Sequence, residues 1–279
     1  MKHEDGKFNG HDGLELYWQS WVPEEKATAA LLLAHGHGEH SGRYSYSVQR
    51  LLADGIAVYA LDHRGHGKSG GQRGHIDSMG DYRDDLGLFK SLVDAKSPDV
   101  PLFLYGHSMG SVIVLDYIMR NQGGFQGLIT SGVGLEPGQV APKWQVLMAK
   151  VLSIFWPTYS LNINVAGKDL SRDPAEINDY DNDPDVHHQG SARWAAEMLK
   201  ANDWIRDNPA AVQLPLFMQH GGADKVNLPS GSTNFSADVS KTNNDVSLKL
   251  YPGNLHVIHG DLDKAKVLTD LVDWIKARS

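Results

Sequence analysis

Gly106-His107-Ser108-Met109-Gly110 stands between the apolar run Pro101-Leu102-Phe103-Leu104-Tyr105 and a helix-forming stretch from Ser111 to Met119. Strand, G-x-S-x-G, helix is the order of a nucleophile elbow: a serine at the tip of a strained strand-to-helix turn, with glycines two before and two after it where a side chain would clash. The pentapeptide alone is a weak signal. Its flanks make it specific and place it inside a βαβ unit.

The same rhythm extends in both directions. Short apolar runs at 29–34, 56–61, 101–105, 126–130, 215–219 and 246–251 are bounded by Gly or Pro and predict parallel strands. Between them, Tyr44, Val48, Leu51 and Leu52 form one apolar stripe, Tyr82, Leu86, Phe89 and Val93 a second, and Leu268, Leu271, Val272 and Ile275 a third. Each fits a helix covering one face of a sheet. The partly alternating stretch 12–22 predicts a leading antiparallel hairpin at one edge. The rhythm breaks from 135 to 212, where two helices are expected. One carries Trp144, Leu147, Met148, Val151, Leu152 and Phe155 on one face, and the other covers 191–203. The expected architecture is therefore an α/β core over 1–134 and 213–279, with 135–212 inserted as a helical cap. The apolar cap face either lines an acyl pocket, touches lipid, or buries itself on the domain below.

Bulk properties narrow the function classes. A chain of 279 residues with formal charge −8 and scattered Lys and Arg offers no electrostatic case for nucleic acid or anionic lipid. The absence of cysteine excludes thiolate zinc sites and a cysteine nucleophile. The polar start Met1-Lys2-His3-Glu4-Asp5-Gly6 has no signal-peptide character, and the longest apolar run is too short to span a bilayer, so a cytoplasmic protein is expected.

A serine hydroxyl attacks an ester only with an imidazole to take its proton and a carboxylate to orient that imidazole. In chain order the acid should follow a later strand and the histidine the last one. Asp224 comes after the run 215–219, and His256 after 246–251. Both fall in loops at the sheet edge that carries Ser108. Two backbone N–H groups must receive the oxyanion, and the expected donors are Met109, next to the serine, and His37, in the glycine-rich loop after the first parallel strand.

Two rival chemistries are visible. His35-Gly36-His37-Gly38-Glu39-His40 is close to the H-x-H-x-D-H zinc cluster of metallo-hydrolases, with His35, His37 and His40 as candidate ligands. That reading requires a different sheet arrangement and has no use for an elbow. Gly65-His66-Gly67-Lys68-Ser69-Gly70 imitates a phosphate loop, but no helix opens there until about residue 80.

Taken together, His35 to Tyr44, Asp62 to Ser69, Gly106 to Gly110, Ser171-Arg172-Asp173, Asp183-Pro184 and His256 to His259 resemble, in order, the motifs of the monoacylglycerol lipase and lysophospholipase group of the α/β-hydrolase superfamily. The resemblance implies hydrolysis of a single-acyl glycerol ester through an acyl-enzyme, without metal or cofactor, and with lysophospholipids or short and medium esters as alternatives. It also implies that Glu39, Arg43, Tyr180 and His259 hold the head group, while the apolar stripe of the cap leaves transient contact with a lipid interface open. Two departures bear on the lining. Val257 stands where many members carry an acid, and Asp185 stands where an apolar residue usually follows Asp-Pro.

Overall fold

The computed structural model describes residues 1–121, 123–138, 143–163 and 165–279, with backbone only at 143–146. Its centre is an eight-stranded sheet. The strands are β1 (Lys2–Asn9), β2 (Glu15–Val22), β3 (Ala29–Ala34), β4 (Ile56–Leu61), β5 (Leu102–His107), β6 (Gly127–Ser131), β9 (Leu216–Gly221) and β10 (Val246–Tyr251). Their order is β1-β2-β4-β3-β5-β6-β9-β10. All neighbours from β4 to β10 run parallel, while β1 and β2 pair antiparallel at one edge. The mostly parallel sheet of an α/β-hydrolase is thus present.

Alternate side chains of each inner strand enter opposite layers, as the pleat requires. Ala30, Leu32 and Ala34 of β3 pack with α2 (Met79–Lys96) and α3 (Met109–Arg120). Ala29, Leu31 and Leu33 pack with α1 (Ser45–Ala53) and α9 (Lys264–Lys276). Each of the three stripes read from the sequence buries its large residues in these layers, Leu52 only in part. Two core elements escaped that reading. β1 is polar and mostly exposed, so no alternation marks it, and α8 (Pro229–Val239) is Ser-rich and announces itself only by Pro229 at its first position.

Strand order reverses at β3, which lies between β4 and β5. The loops leaving β3 and β5 therefore diverge to opposite sides, and the crevice between them is where such sheets bind ligands. Residues 35–40 and Ser108 occupy these two loops.

The stretch between β6 and β9 adds α4 (Lys143–Phe155), α5 (Gly167–Leu170), α6 (Pro174–Asp181) and α7 (Ala192–Asp207), plus a two-stranded ribbon of β7 (Ser160–Asn162) and β8 (Gln189–Ser191). α7 packs into the core layer through Met198, Ala201 and Ile205. α4 rests on α7, and Arg193 Nη2 donates to Ser153 O at 2.7 Å. The apolar side of α4 does not bury itself on the core: Leu147 is 63% exposed and Phe155 82%. The Trp144 side chain, expected on that stripe, lies outside the described residues. Among the described residues, no helix is long and apolar enough to cross a membrane.

Candidate active site

Ser108 links β5 directly to α3 with φ 52° and ψ −116°, and it is the only non-glycine with positive φ among the described residues. That conformation is costly for a residue with a Cβ. Its surroundings enforce it. A methyl on Gly106 would strike the Gly110 carbonyl, and one on Gly110 would strike the carbonyls of Ala34 and His35, so only glycine allows α3 to start this close to β3. Ser108 N donates to Ser131 O at 2.9 Å, and Ser111 Oγ donates to Gly106 O at 2.6 Å, which pins the turn to β6.

Asp224 follows β9 and His256 follows β10. They meet through Asp224 Oδ2 and His256 Nδ1 at 2.7 Å, both buried. The other carboxylate oxygen accepts from the backbone N–H of Val226 at 2.8 Å and of Asn227 at 3.1 Å. Burial alone would raise the Asp224 pKa, but the His256 and His220 imidazoles outweigh it and hold the carboxyl well below the usual range. The group is a fixed anion that orients one imidazole face.

Sequence reasoning missed two histidines here. His220, wholly buried, bridges Ser232 Oγ at 2.6 Å and Asp224 Oδ2 at 3.1 Å. Its only sequence signal is a place four residues before Asp224. His107 precedes the serine, and its ring lies 4.8 Å from that of His256 and 4.9 Å from that of His259. Burial depresses its pKa far below the ordinary value, so it packs as a neutral ring.

Ser108, His256, Gly36, His37 and Met109 line one cavity of about 440 Å³, whose remaining wall is mainly apolar: Val112, Ile163, Val165, Leu170, Met198 and Val257 among others. Among the described residues the backbone N–H groups of His37 and Met109 have no acceptor. Gly36 brings the His37 loop against the serine, since a Cβ there would sit 3.2 Å from Ser108 Cβ. The loop is held by Glu39, which is buried and accepts from Gly36 N at 2.6 Å and from Tyr44 Oη at 2.7 Å. Desolvation works against the Glu39 anion, yet His259, His35 and Arg43 together keep its pKa below normal.

The four expected head-group residues divide between two spaces. Glu39 and Tyr180 line the cavity that holds Ser108 and His256. Arg43 and His259 open instead onto a neighbouring polar cavity of about 460 Å³. Arg43 pairs with Glu176 and lies 5.1 Å above the Tyr180 ring, so it ties α6 to the loop after β3. His259 stacks on Tyr44 at 4.6 Å and is pushed down to about 4 by burial.

The rival zinc cluster does not assemble. His35 spends one nitrogen on Gly36 O at 2.7 Å and the other accepts from His63 N at 2.9 Å. His40 turns away to Asp183 at 3.0 Å, and the His37 ring packs on Trp194 at 4.1 Å. The phosphate-loop lookalike is a tight turn with Gly65 and Gly67 at positive φ, and its Asp62 carboxylate accepts from Ser41 N and Lys68 N. Of the two departures, Val257 lines the cavity that holds Ser108, and Asp185 donates its N–H to Asp183 Oδ1 at 2.9 Å.

Residues 25–263 match the family model described as serine aminopeptidase, S33 (Hydrolase_4). The chain is 34% identical to the monoacylglycerol lipase of Mycolicibacterium smegmatis, with 96% of this chain and 95% of that one covered. It is 29% identical to the monoglyceride lipase of Homo sapiens, over 96% and 89%. The structure of a soluble variant of the Saccharomyces cerevisiae monoglyceride lipase, in complex with a substrate analog, superposes with a TM-score of 0.88 at 26% identity, covering 98% of this chain and 95% of that one.

Proposed function

This chain belongs to the serine aminopeptidase S33 (Hydrolase_4) family of α/β-hydrolases and is a serine ester hydrolase, and from that premise we propose that it cleaves monoacylglycerol to fatty acid and glycerol. Ser108 Oγ attacks the ester carbonyl while His256 takes its proton, and Asp224 holds the imidazole and balances its positive charge. The oxyanion lies against the His37 and Met109 N–H groups, each worth about 2.7–4 kcal/mol of barrier. His256 returns the proton to the departing glycerol oxygen, and water then hydrolyses the acyl-enzyme by the same route.

The observation that carries this reading is the strained Ser108 beside the Asp224–His256 pair, with free N–H groups opposite and an apolar cavity leading away. The names of the relatives and the mainly apolar wall favour a single-acyl substrate. Glu39 and Tyr180 are the polar residues that meet the glycerol head in the cavity, with Arg43 and His259 supporting them from behind. Residues 135–212 act as the cap over a core of 1–134 and 213–279. The exposed Leu147, Met148, Val151, Ile154, Phe155 and Trp156 give it an apolar surface for contact with a lipid interface.

The test is a kcat/KM profile over monoacylglycerols of increasing chain length beside matched lysophospholipids, with Ser108→Ala as the blank. Monoacylglycerols should lead the matched lysophospholipids, and the blank should lose about 10⁴-fold or more. Equal rates on lysophospholipids would replace the glycerol reading. Near-full activity of Ser108→Ala would remove the serine mechanism.

A further inference from the structure

Leu216, Met218 and His220 fall on one face of β9, as its pleat dictates, and the first two belong to the apolar core layer. An imidazole in that row, wholly buried, must find partners for both nitrogens. His220 does so. Its Nε2 lies 3.1 Å from Asp224 Oδ2 and 3.0 Å from the Asn227 carbonyl oxygen, and its Nδ1 lies 2.6 Å from Ser232 Oγ on α8. Neither group facing Nε2 can donate, so the network assigns the ring hydrogen to Nε2. Nδ1 is then the acceptor, and the Ser232 hydroxyl donates to it.

The oxygen that His220 meets is the one that orients His256. Asp224 Oδ2 accepts from His256 Nδ1 at 2.7 Å, while Oδ1 is filled by the N–H groups of Val226 and Asn227 at 2.8 and 3.1 Å. These donors together fix the rotation of the carboxylate. Asn227 also donates Nδ2 to Gly132 O at 2.9 Å, and a Cβ on Gly132 would come 3.1 Å from the His256 ring, so the same turn backs that ring. The titratable groups around the pair are histidines. His107 packs on His256 at 4.8 Å and also feels His220, and His259 feels His256. Burial keeps His107 and His259 neutral near pH 7, which leaves Asp224 as the charge that the two imidazoles share.

We infer that His220 is a positioning residue for ester cleavage: by donating to Asp224 Oδ2 it turns the carboxylate toward His256 and limits how tightly the carboxylate holds the His256 proton. The inference rests on the serine ester hydrolase reading above and deepens it. His220 touches neither substrate nor the reacting atoms, and no proton leaves it. A carboxylate with one donor fewer is more basic. The imidazolium formed when Ser108 attacks would then be held too firmly to release its proton to the leaving oxygen.

The experiment measures kcat, KM and the pH dependence of kcat/KM on a water-soluble ester for the wild-type protein, His220→Leu and His220→Gln. Leucine removes the donor, whereas the glutamine amide places an N–H about where Nε2 lies. In His220→Leu, kcat should fall about tenfold with KM unchanged, as loss of one hydrogen bond to a charged group implies. The acid limb of its kcat/KM profile should also move up by roughly half a pH unit, because the base stays protonated to higher pH. His220→Gln should restore both. A fall in kcat with the acid limb unmoved would make His220 merely structural and overturn the inference, as would a His220→Gln variant equally impaired. NMR of the wild-type protein with nitrogen-15-labelled histidine tests the same point even where His220→Leu does not fold. The ring signals that vanish in His220→Gln should show protonation at Nε2 alone, and a proton on Nδ1 would overturn the inference. If the wild-type protein and Ser108→Ala cleave the ester alike, the underlying reading fails instead.

Discussion

The carboxyl edge of the sheet and the segment above it are built on opposite terms. At the sheet edge, Ser108, Asp224 and His256 sit on turns that permit almost no substitution, because glycine Cβ positions collide with backbone carbonyls and the carboxylate is saturated with donors. Above it, α4 leaves a mostly apolar face in the open, while α7 sinks Met198, Ala201 and Ile205 into the core layer and Arg43 pairs with Glu176 across the boundary. The chemistry is fixed by short-range geometry. The walls around that chemistry are set by long-range contacts between distant parts of the chain.

The sharpest way to break this division is to disturb the sheet edge chemically without changing its shape. Asp224→Asn keeps the volume but removes the charge that balances an imidazolium, and it allows the wrong His256 tautomer. Turnover should fall about 10⁴-fold with little change in KM. A loss under about tenfold would mean that His220, bonded to the same oxygen, or another group does the orienting. Next comes Gly110→Ala, whose methyl meets the Ala34 and His35 carbonyls directly. It should cost about 3 kcal/mol by chemical denaturation, together with the activity, since α3 cannot retreat from β3 without moving Ser108. Retained stability would show that the elbow is looser than its contacts imply.

Acid should attack the seam between the two regions. His35 packs on His63 and His66, His66 packs on His37 and on His187 of the overlying segment, and His37 meets His187. Burial holds His37 near 3 and His187 near 4, and His35, His63 and His66 are lowered by the same cause. The sign follows from these directions. The unfolded imidazoles protonate below about 6.5 while the folded ones stay neutral, so stability is full above that pH and declines toward 4. Each such imidazole adds about 1.4 kcal/mol per pH unit to the slope. Urea midpoints at pH 7 and pH 5 should therefore differ clearly, and identical midpoints would refute a neutral cluster.

The contrast also explains what the sequence could disclose. The elbow, the order of serine, acid and histidine, and the inner strands were legible because each follows from neighbours within a few residues. The partners of Glu39 were not: its carboxylate holds a backbone N–H three residues away and a tyrosine, and nothing in the motif says which. Nor did the cluster at 35–40 reveal that His35 would be consumed by His63 from another loop. The periodicity of α4 identified a face but not its cover, since a stripe that is buried and a stripe that waits for a partner have the same spacing.

That last ambiguity yields the smallest expected effect and the finest test of the comparison. Phe155 is 82% exposed, so Phe155→Ser removes almost no packing and should leave unfolding free energy within about 0.5 kcal/mol. If the face meets lipid, the same change should lower turnover of monoacylglycerol held in neutral vesicles severalfold relative to a water-soluble ester, because the aromatic ring contributes only where an apolar phase is present. A matched fall on both substrates would instead tie Phe155 to the catalytic cavity. A stability loss above about 1 kcal/mol would mean that the side chain is covered by the protein itself, and α4 would then belong with the sheet edge rather than against it.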